Sequence, residues 1–213
     1  MPALMLQRYV PIEVAITEAQ LVRALERDDR FKHELQLRGQ KHLRNSIKKG
    51  ERDFVGFLGE EIIYDLYTPG MNAHGMEWSW VAGQKYDWDM RLITARRGRI
   101  DVKTKLQTYS EPPGPHYWAT VCDKNTHQDC DWYCFVRVHH LCQKAWVLGF
   151  MPKHQFMRSA HKYLKGEIDP TSHNNWPFKE DCWNMAAKNL ISAPRDLAGL
   201  QTLFMEHDYD AHS

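Results

Sequence analysis

No stretch of this 213-residue sequence approaches the roughly 18 consecutive apolar residues that a membrane-spanning helix needs. The opening residues, MPALMLQRYVPIEVAI, lack a basic start and a clear small-residue cleavage site, so no signal peptide is read there. Cysteine is scarce. Its five positions (Cys122, Cys130, Cys134, Cys142, Cys182) are odd in number and unevenly spread. That argues against a disulfide framework and points to a reducing, cytoplasmic setting. Internal repeats and low-complexity segments are missing. So are the G-x-S-x-G, P-loop and G-x-G-x-x-G motifs, which removes the commonest hydrolase and nucleotide-binding readings. Net charge is nearly absent at +1, so the overall balance gives no push toward a polyanion.

What is present reads as one globular domain. Hydrophobic residues make up 43% and charged residues 26%, enough for a core with a solvated surface. Charge is also unevenly placed. Residues 91–105 carry Arg91, Arg96, Arg97, Arg99, Lys103 and Lys105 against one acid, Asp101. Such a local stripe can track a phosphate backbone even on a neutral protein. Arg38, Lys41, Arg44, Lys48 and Lys49 form a second basic run, which reads as an ordinary solvated face. Trp78, Trp80, Tyr109, Tyr117 and Trp118 interleave with the stripe and offer stacking surfaces, although core or rim packing is the commoner use of such residues.

Periodicity predicts a helical region over 17–48. Leu21, Ala24 and Leu25 sit at helical spacing, Thr17 and Gln20 are placed for a capping box, and a break is expected near Gly39. A second helix is expected from Asp53 to Tyr67. Val55, Leu58, Ile62 and Leu66 form its stripe, Asp53 its N-cap, and Pro69-Gly70 its stop. The period then changes to two. A short strand is predicted at Trp78–Val81, a strand with Tyr86, Trp88, Met90 and Leu92 on one face, and another with Ile100, Val102 and Thr104 on one face. Residues 109–115 read as a loop and 117–121 as a short strand. The apolar runs 132–138 and 145–150 suit strands buried on both sides. A helix over 153–165 and a last one over 196–205 complete a mixed α/β pattern, with loop between them.

The chemistry lies in the charged positions of the two alternating strands. Asp87 and Asp89 are expected on one face of the first, Asp101 and Lys103 on one face of the second. Clustered carboxylates repel, and a hard cation such as Mg²⁺ relieves that cost with oxygen ligands. A lysine beside the cation can orient water and stabilise charge on a phosphoryl oxygen. Solvent-facing charges on an exposed hairpin are the plainer alternative.

The string Ile100-Asp101-Val102-Lys103-Thr104-Lys105 resembles the hydrophobic-(D/E)-x-K motif of the PD-(D/E)xK, or restriction-endonuclease-like, nuclease superfamily. Asp89 or Asp87 stands where that superfamily places its earlier acid, without the preceding proline. Gly59-Glu60-Glu61 resembles its helical glutamate element, Glu60 following the Gly. The likeness spans about residues 53–138. The layout is also similar to nucleases found in phage genomes, which would place the protein in a host cytoplasm. The resemblance implies a restriction-endonuclease-like α/β core over 53–213, a mixed central sheet flanked by helices, with residues 1–52 as an N-terminal helical arm. It implies Asp89, Asp101 and the Val102 carbonyl as Mg²⁺ ligands, with Asp87 as outer or alternative ligand. Glu60 would support the metal, Mn²⁺ could substitute for Mg²⁺, and Lys103 would activate water. Lys105, Arg97, Arg99 and Gln107 would contact DNA, and a homodimer is a partner state many relatives use. A membrane is not expected as a partner. A catalytically silent nucleic-acid-binding domain and an RNA nuclease are the competing functions. The spacing C-x4-H-x2-C-x3-C from Cys122 through His127 and Cys130 to Cys134 offers zinc-ligand types, but not the usual knuckles, so structural Zn²⁺ is not expected. His139-His140 reads as an ordinary surface pair.

Overall fold

The computed structural model describes residues 9–37, 51–68, 76–78, 87–170 and 177–208. The basic run from Arg38 to Lys49, the break near Gly39, Pro69-Gly70, Trp80 and Tyr86 lie outside the described residues.

Helix α1 (Glu18–Leu37) starts at the expected box. The Thr17 N–H donates to Gln20 Oε1 at 2.9 Å and the Gln20 N–H to Thr17 Oγ1 at 3.3 Å. Helix α2 (Glu51–Tyr67) begins two residues before the expected start. Asp53 therefore stands in the first turn, where its charge faces the positive end of the helix, and is not the cap. Val55, Leu58 and Ile62 are buried as their spacing requires, and Leu66 packs against the same cluster.

The described residues form nine strands: β1 (Ile12–Ala15), β2 (Met76–Trp78), β3 (Met90–Leu92), β4 (Arg99–Gln107), β5 (Trp118–Cys122), β6 (Trp132–His139), β7 (Lys144–Pro152), β8 (His161–Tyr163) and β9 (Cys182–Ala186). Six form a mixed sheet in the order β1-β7-β6-β4-β3-β2, in which only β4 and β6 run parallel. The others form a small antiparallel sheet, β5-β9-β8. Helices α3 (Lys153–Ser159) and α4 (Leu197–Asp208) complete a mixed α/β fold. No described helix is long and apolar enough to cross a membrane.

Both faces of the large sheet are covered. On one, Ile100, Val102, Cys134 and Val136 pack against Leu58 and Ile62 of α2 and Phe204 of α4. On the other, Tyr133, Phe135, Trp146 and Leu148 meet Val121, Met185 and Phe156 from the small sheet and α3. Each large side chain so buried contributes roughly 1.5–3 kcal/mol. This two-sided cover explains the continuous apolar runs of β6 and β7.

Several expectations are corrected. Residues 87–92 do not form one strand: pairing begins at Met90, and Asp87 and Asp89 precede it. The helix expected over 153–165 ends at Ser159, because His161–Tyr163 pairs with β9. Strand β9 occupies part of a segment read as loop. Strand β1 went unforeseen; it edges the large sheet beside β7, and Ala24 of α1 enters the main core.

Residue Gly59 sets how closely α2 lies on β4. A Cβ there would stand 1.9 Å from Thr104 Oγ1 and 2.8 Å from Thr104 Cβ. The approach is tight enough that Thr104 Oγ1 is buried without a hydrogen bond. Gly59→Ala should therefore cost about 1–3 kcal/mol in urea unfolding through overpacking. Thr104→Ala on that background should recover part of the loss. Unchanged stability in Gly59→Ala would contradict the tight contact.

Candidate active site

Strand β4 carries Asp101 and Lys103 in register with Tyr133 and Phe135 of its parallel neighbour β6. Their side chains thus lie on the face covered by the small sheet, not on an exposed hairpin. Asp101 is only 3% exposed. Lys103 Nζ forms an ion pair with Asp101 Oδ2 at 2.5 Å and donates to Gln128 Oε1 at 2.9 Å. It also lies 5.8 Å from the Tyr133 ring centroid. Burial works against the Lys103 charge, but the adjacent Asp101 carboxylate more than offsets it. The net effect holds the ammonium above its ordinary pKa, so Lys103 keeps its proton at neutral pH.

Asp89 stands where β3 stops pairing. Strand β3 meets β4 only at Met90–Ile100 and Arg91–Arg99. Just beyond, the Asp89 N–H donates to the Ile100 carbonyl at 2.8 Å. Its Oδ2 accepts the Val102 N–H at 2.6 Å. A carboxylate therefore takes a ladder bond at the edge of β4. Burial pushes the Asp89 carboxyl well above the usual range. The charges of Glu60 and Asp101 add to the rise, and Lys103 and the Val102 N–H only partly oppose it. Asp87 is half-buried in the segment before β3, so the two aspartates do not share a strand face.

The two glutamates of α2 have different surroundings. Glu61 accepts from Arg23 Nε at 2.6 Å and from Arg27 Nη1 at 3.0 Å, and Arg23 also bonds Asp65 at 2.6 Å. Glu60 pairs with Arg27 Nη2. Burial raises the Glu60 carboxyl; Arg27 opposes this, and the Asp101 charge reinforces it. Arg27 is itself buried, 4.8 Å from the Phe57 ring centroid and 4.6 Å from that of Trp78. The sequence reading overlooked Arg23, Arg27 and Gln128. Arg23 and Arg27 on α1, and Glu61 and Asp65 on α2, each lie at i,i+4 spacing, and that complementarity was readable. Gln128 sits in a turn and carries no pattern.

The expected DNA contacts are dispersed. Arg99 binds Asp131 through Nε at 2.9 Å and Nη2 at 3.0 Å, and also pairs with Asp129. Gln107 is buried, and its amide donates to the Tyr109 and Glu111 carbonyls at 3.0 and 2.7 Å. Lys105 is half-buried on the Asp101 face, and Arg97 is exposed in the turn between β3 and β4. Cys130 and Cys134 are buried in opposite clusters, so the C-x4-H-x2-C-x3-C residues do not converge. Among the described residues no three His, Cys, Asp or Glu side chains stand grouped for a metal as they are. His139 is buried and His140 exposed, which corrects their reading as a surface pair.

Two outcomes follow from these pairings. Arg27→Ala leaves Glu60 without its guanidinium and should cost about 3–5 kcal/mol in urea unfolding, with partial recovery in Arg27→Ala/Glu60→Gln. A loss under 1 kcal/mol would show that the pair is solvated. Asp89 and Glu60 also hold protons more tightly folded than unfolded, so their contribution is present at acid pH and lost as pH rises through their raised values. In EDTA, wild type should therefore lose more Tm than Asp89→Asn between pH 5 and pH 8, by a few degrees at about 2–4 °C per kcal/mol. Parallel pH profiles would refute the raised Asp89.

No protein-family model matches the chain, and no curated protein matches its sequence.

Proposed function

We propose that the protein is a Mg²⁺-dependent nuclease that hydrolyses DNA phosphodiester bonds, cutting within strands, on a restriction-endonuclease-like core. The observation that carries this reading is the buried Asp101–Lys103 pair at 2.5 Å, with Asp89 beside it on the same strand edge.

The donor set suits a hard cation. It consists of oxygens only, and the Asp89 carboxyl is driven toward its neutral form chiefly by burial, with the charges of Glu60 and Asp101 adding to it. Asp101 Oδ2 is buried and lacks a well-formed hydrogen bond, although Lys103 touches it. Asp89, Asp101 and the Val102 carbonyl would hold Mg²⁺, or Mn²⁺ in its place, with Asp87 as the alternative ligand. Glu60 remains with Arg27 and would act on the waters around the site. When bound, the ion supplies an acidified water and neutralises phosphoryl charge.

The chain's own residues do the rest. Lys103 is a poor general base because it keeps its proton; it acts as a fixed positive donor. Anchored by Gln128, it orients the attacking water and stabilises negative charge that develops on the phosphate oxygens. The Val102 N–H holds the Asp89 carboxylate and the Ile100 carbonyl accepts the Asp89 backbone N–H, so this acid is positioned before substrate arrives. Cover by the small sheet lowers polarity around the pair and strengthens each of these interactions.

One observation favours a second reading, a silent nucleic-acid-binding domain. Lys103 already neutralises Asp101, and Arg27 already neutralises Glu60. Supercoiled plasmid, incubated with Mg²⁺, Mn²⁺ or EDTA, separates the two. Wild type should nick and linearise it only with metal, and Lys103→Ala should slow cutting by about 10²-fold or more. Absence of cutting on plasmid, single-stranded and branched DNA would favour the binding domain; cutting of RNA alone would change the substrate.

A further inference from the structure

A pocket of about 250 Å³ opens at the start of β6, next to the Asp101–Lys103 pair. Arg97, Lys153, His154 and His207 line it, drawn from the β3–β4 turn, the start of α3 and the last turn of α4. Its one acid among the described residues is Asp131, whose two carboxylate oxygens are held by Arg99 and by the Arg99 N–H at 3.0 Å. Among the described lining residues Arg97 and Lys153 thus leave an excess of positive charge. Gln128 joins it to Lys103: its side-chain oxygen accepts from Lys103 and its backbone carbonyl from Lys153. Cys130 lines the same pocket and feels the charges of both Asp101 and Lys103. Its thiol is pushed up to about 12, chiefly by burial, so it is an inert wall and not a nucleophile.

We infer that this pocket is a phosphate-ester subsite, taking the nucleotide phosphate next along the strand from the one held at Asp101 and Lys103. The placement of that second phosphate rests on the nuclease reading; the pocket's affinity for phosphate esters does not. A volume of about 250 Å³ exceeds several times the roughly 30 Å³ share of one water, which leaves room for a phosphate with its sugar. Arg97 offers a planar fork to the phosphate oxygens. Lys153 already gives one proton to Gln128 and has two left, so it couples the occupied subsite to the residue that anchors Lys103.

Deoxyadenosine 5′-monophosphate, titrated into the full chain in EDTA at constant ionic strength and followed by ³¹P NMR, tests the subsite without the metal. Wild type should bind it. Arg97→Gln and Lys153→Gln should each weaken binding about tenfold, the loss of one charge-assisted contact. Lys165→Ala, at an exposed position outside the pocket, should bind within twofold of wild type. Failure of wild type to bind the nucleotide, or equal binding by both pocket variants, would overturn the subsite whatever the protein does to DNA. Nucleotide binding without any cutting would leave the subsite standing and remove the nuclease reading. Oligonucleotides with a 5′-phosphate or a 5′-hydroxyl then distinguish a terminal from an internal phosphate. Faster cutting of the phosphorylated end that Arg97→Gln abolishes supports the first, and equal cutting that Arg97→Gln slows supports the second. Cutting unaffected by Arg97→Gln on both substrates would remove the pocket from the substrate path.

Discussion

A surplus of buried negative charge governs the centre of this molecule. Asp101 has Lys103, and Glu60 has Arg27, but among the described residues Asp89 has the Val102 N–H and a partial offset from Lys103, and lies within reach of both acids' fields. Holding these groups together is costly, since a buried charge without a partner is among the most destabilising features a fold can carry. Local geometry forces the arrangement. Gly59 lets α2 settle on β4 and brings Glu60 in, and the short β3 leaves the β4 edge for Asp89 to cap. Such groups cluster where charge is put to use, and a divalent cation is the simplest species that would balance the set.

The same geometry explains which parts were legible in the sequence. The α2 stripe, the Thr17–Gln20 box, and the apolar runs of β6 and β7 each depend on local pattern or on burial that pattern reveals. Strand β4 was legible too, but its surroundings were not. Its charged face was weighed as an exposed one, whereas the small sheet covers it, and of that sheet only β5 was read, because β8 and β9 are short strands whose identity comes from pairing. Residues His161–Tyr163 have no strand signature beyond their ladder with β9. Asp87 and Asp89 mimic strand alternation, yet Asp89 uses its side chain where a strand would use its backbone. Nothing local announces that exchange.

The site residues divide along the same line. Asp101 and Lys103 stood out by spacing and Glu60 through the resemblance alone, and the structure gathers their charges with that of Asp89. The residues that hold them were harder to see. Arg27 comes from α1, more than thirty positions away in the chain, and Gln128 from a turn before β6. Arg99, expected at a phosphate, is spent on Asp129 and Asp131, while Arg97 two residues earlier faces a pocket. Alternation assigns the faces of a strand, but partners from other elements decide whether a charge remains available there.

Calorimetric titration of Mg²⁺ at neutral pH, in two buffers of different ionisation enthalpy, tests the charge surplus most directly. Wild type should bind one ion and release protons as Asp89 ionises, and Asp101→Asn should abolish the binding. Absence of saturable binding to wild type, or equal binding by Asp101→Asn, would contradict a cation site built on these carboxylates.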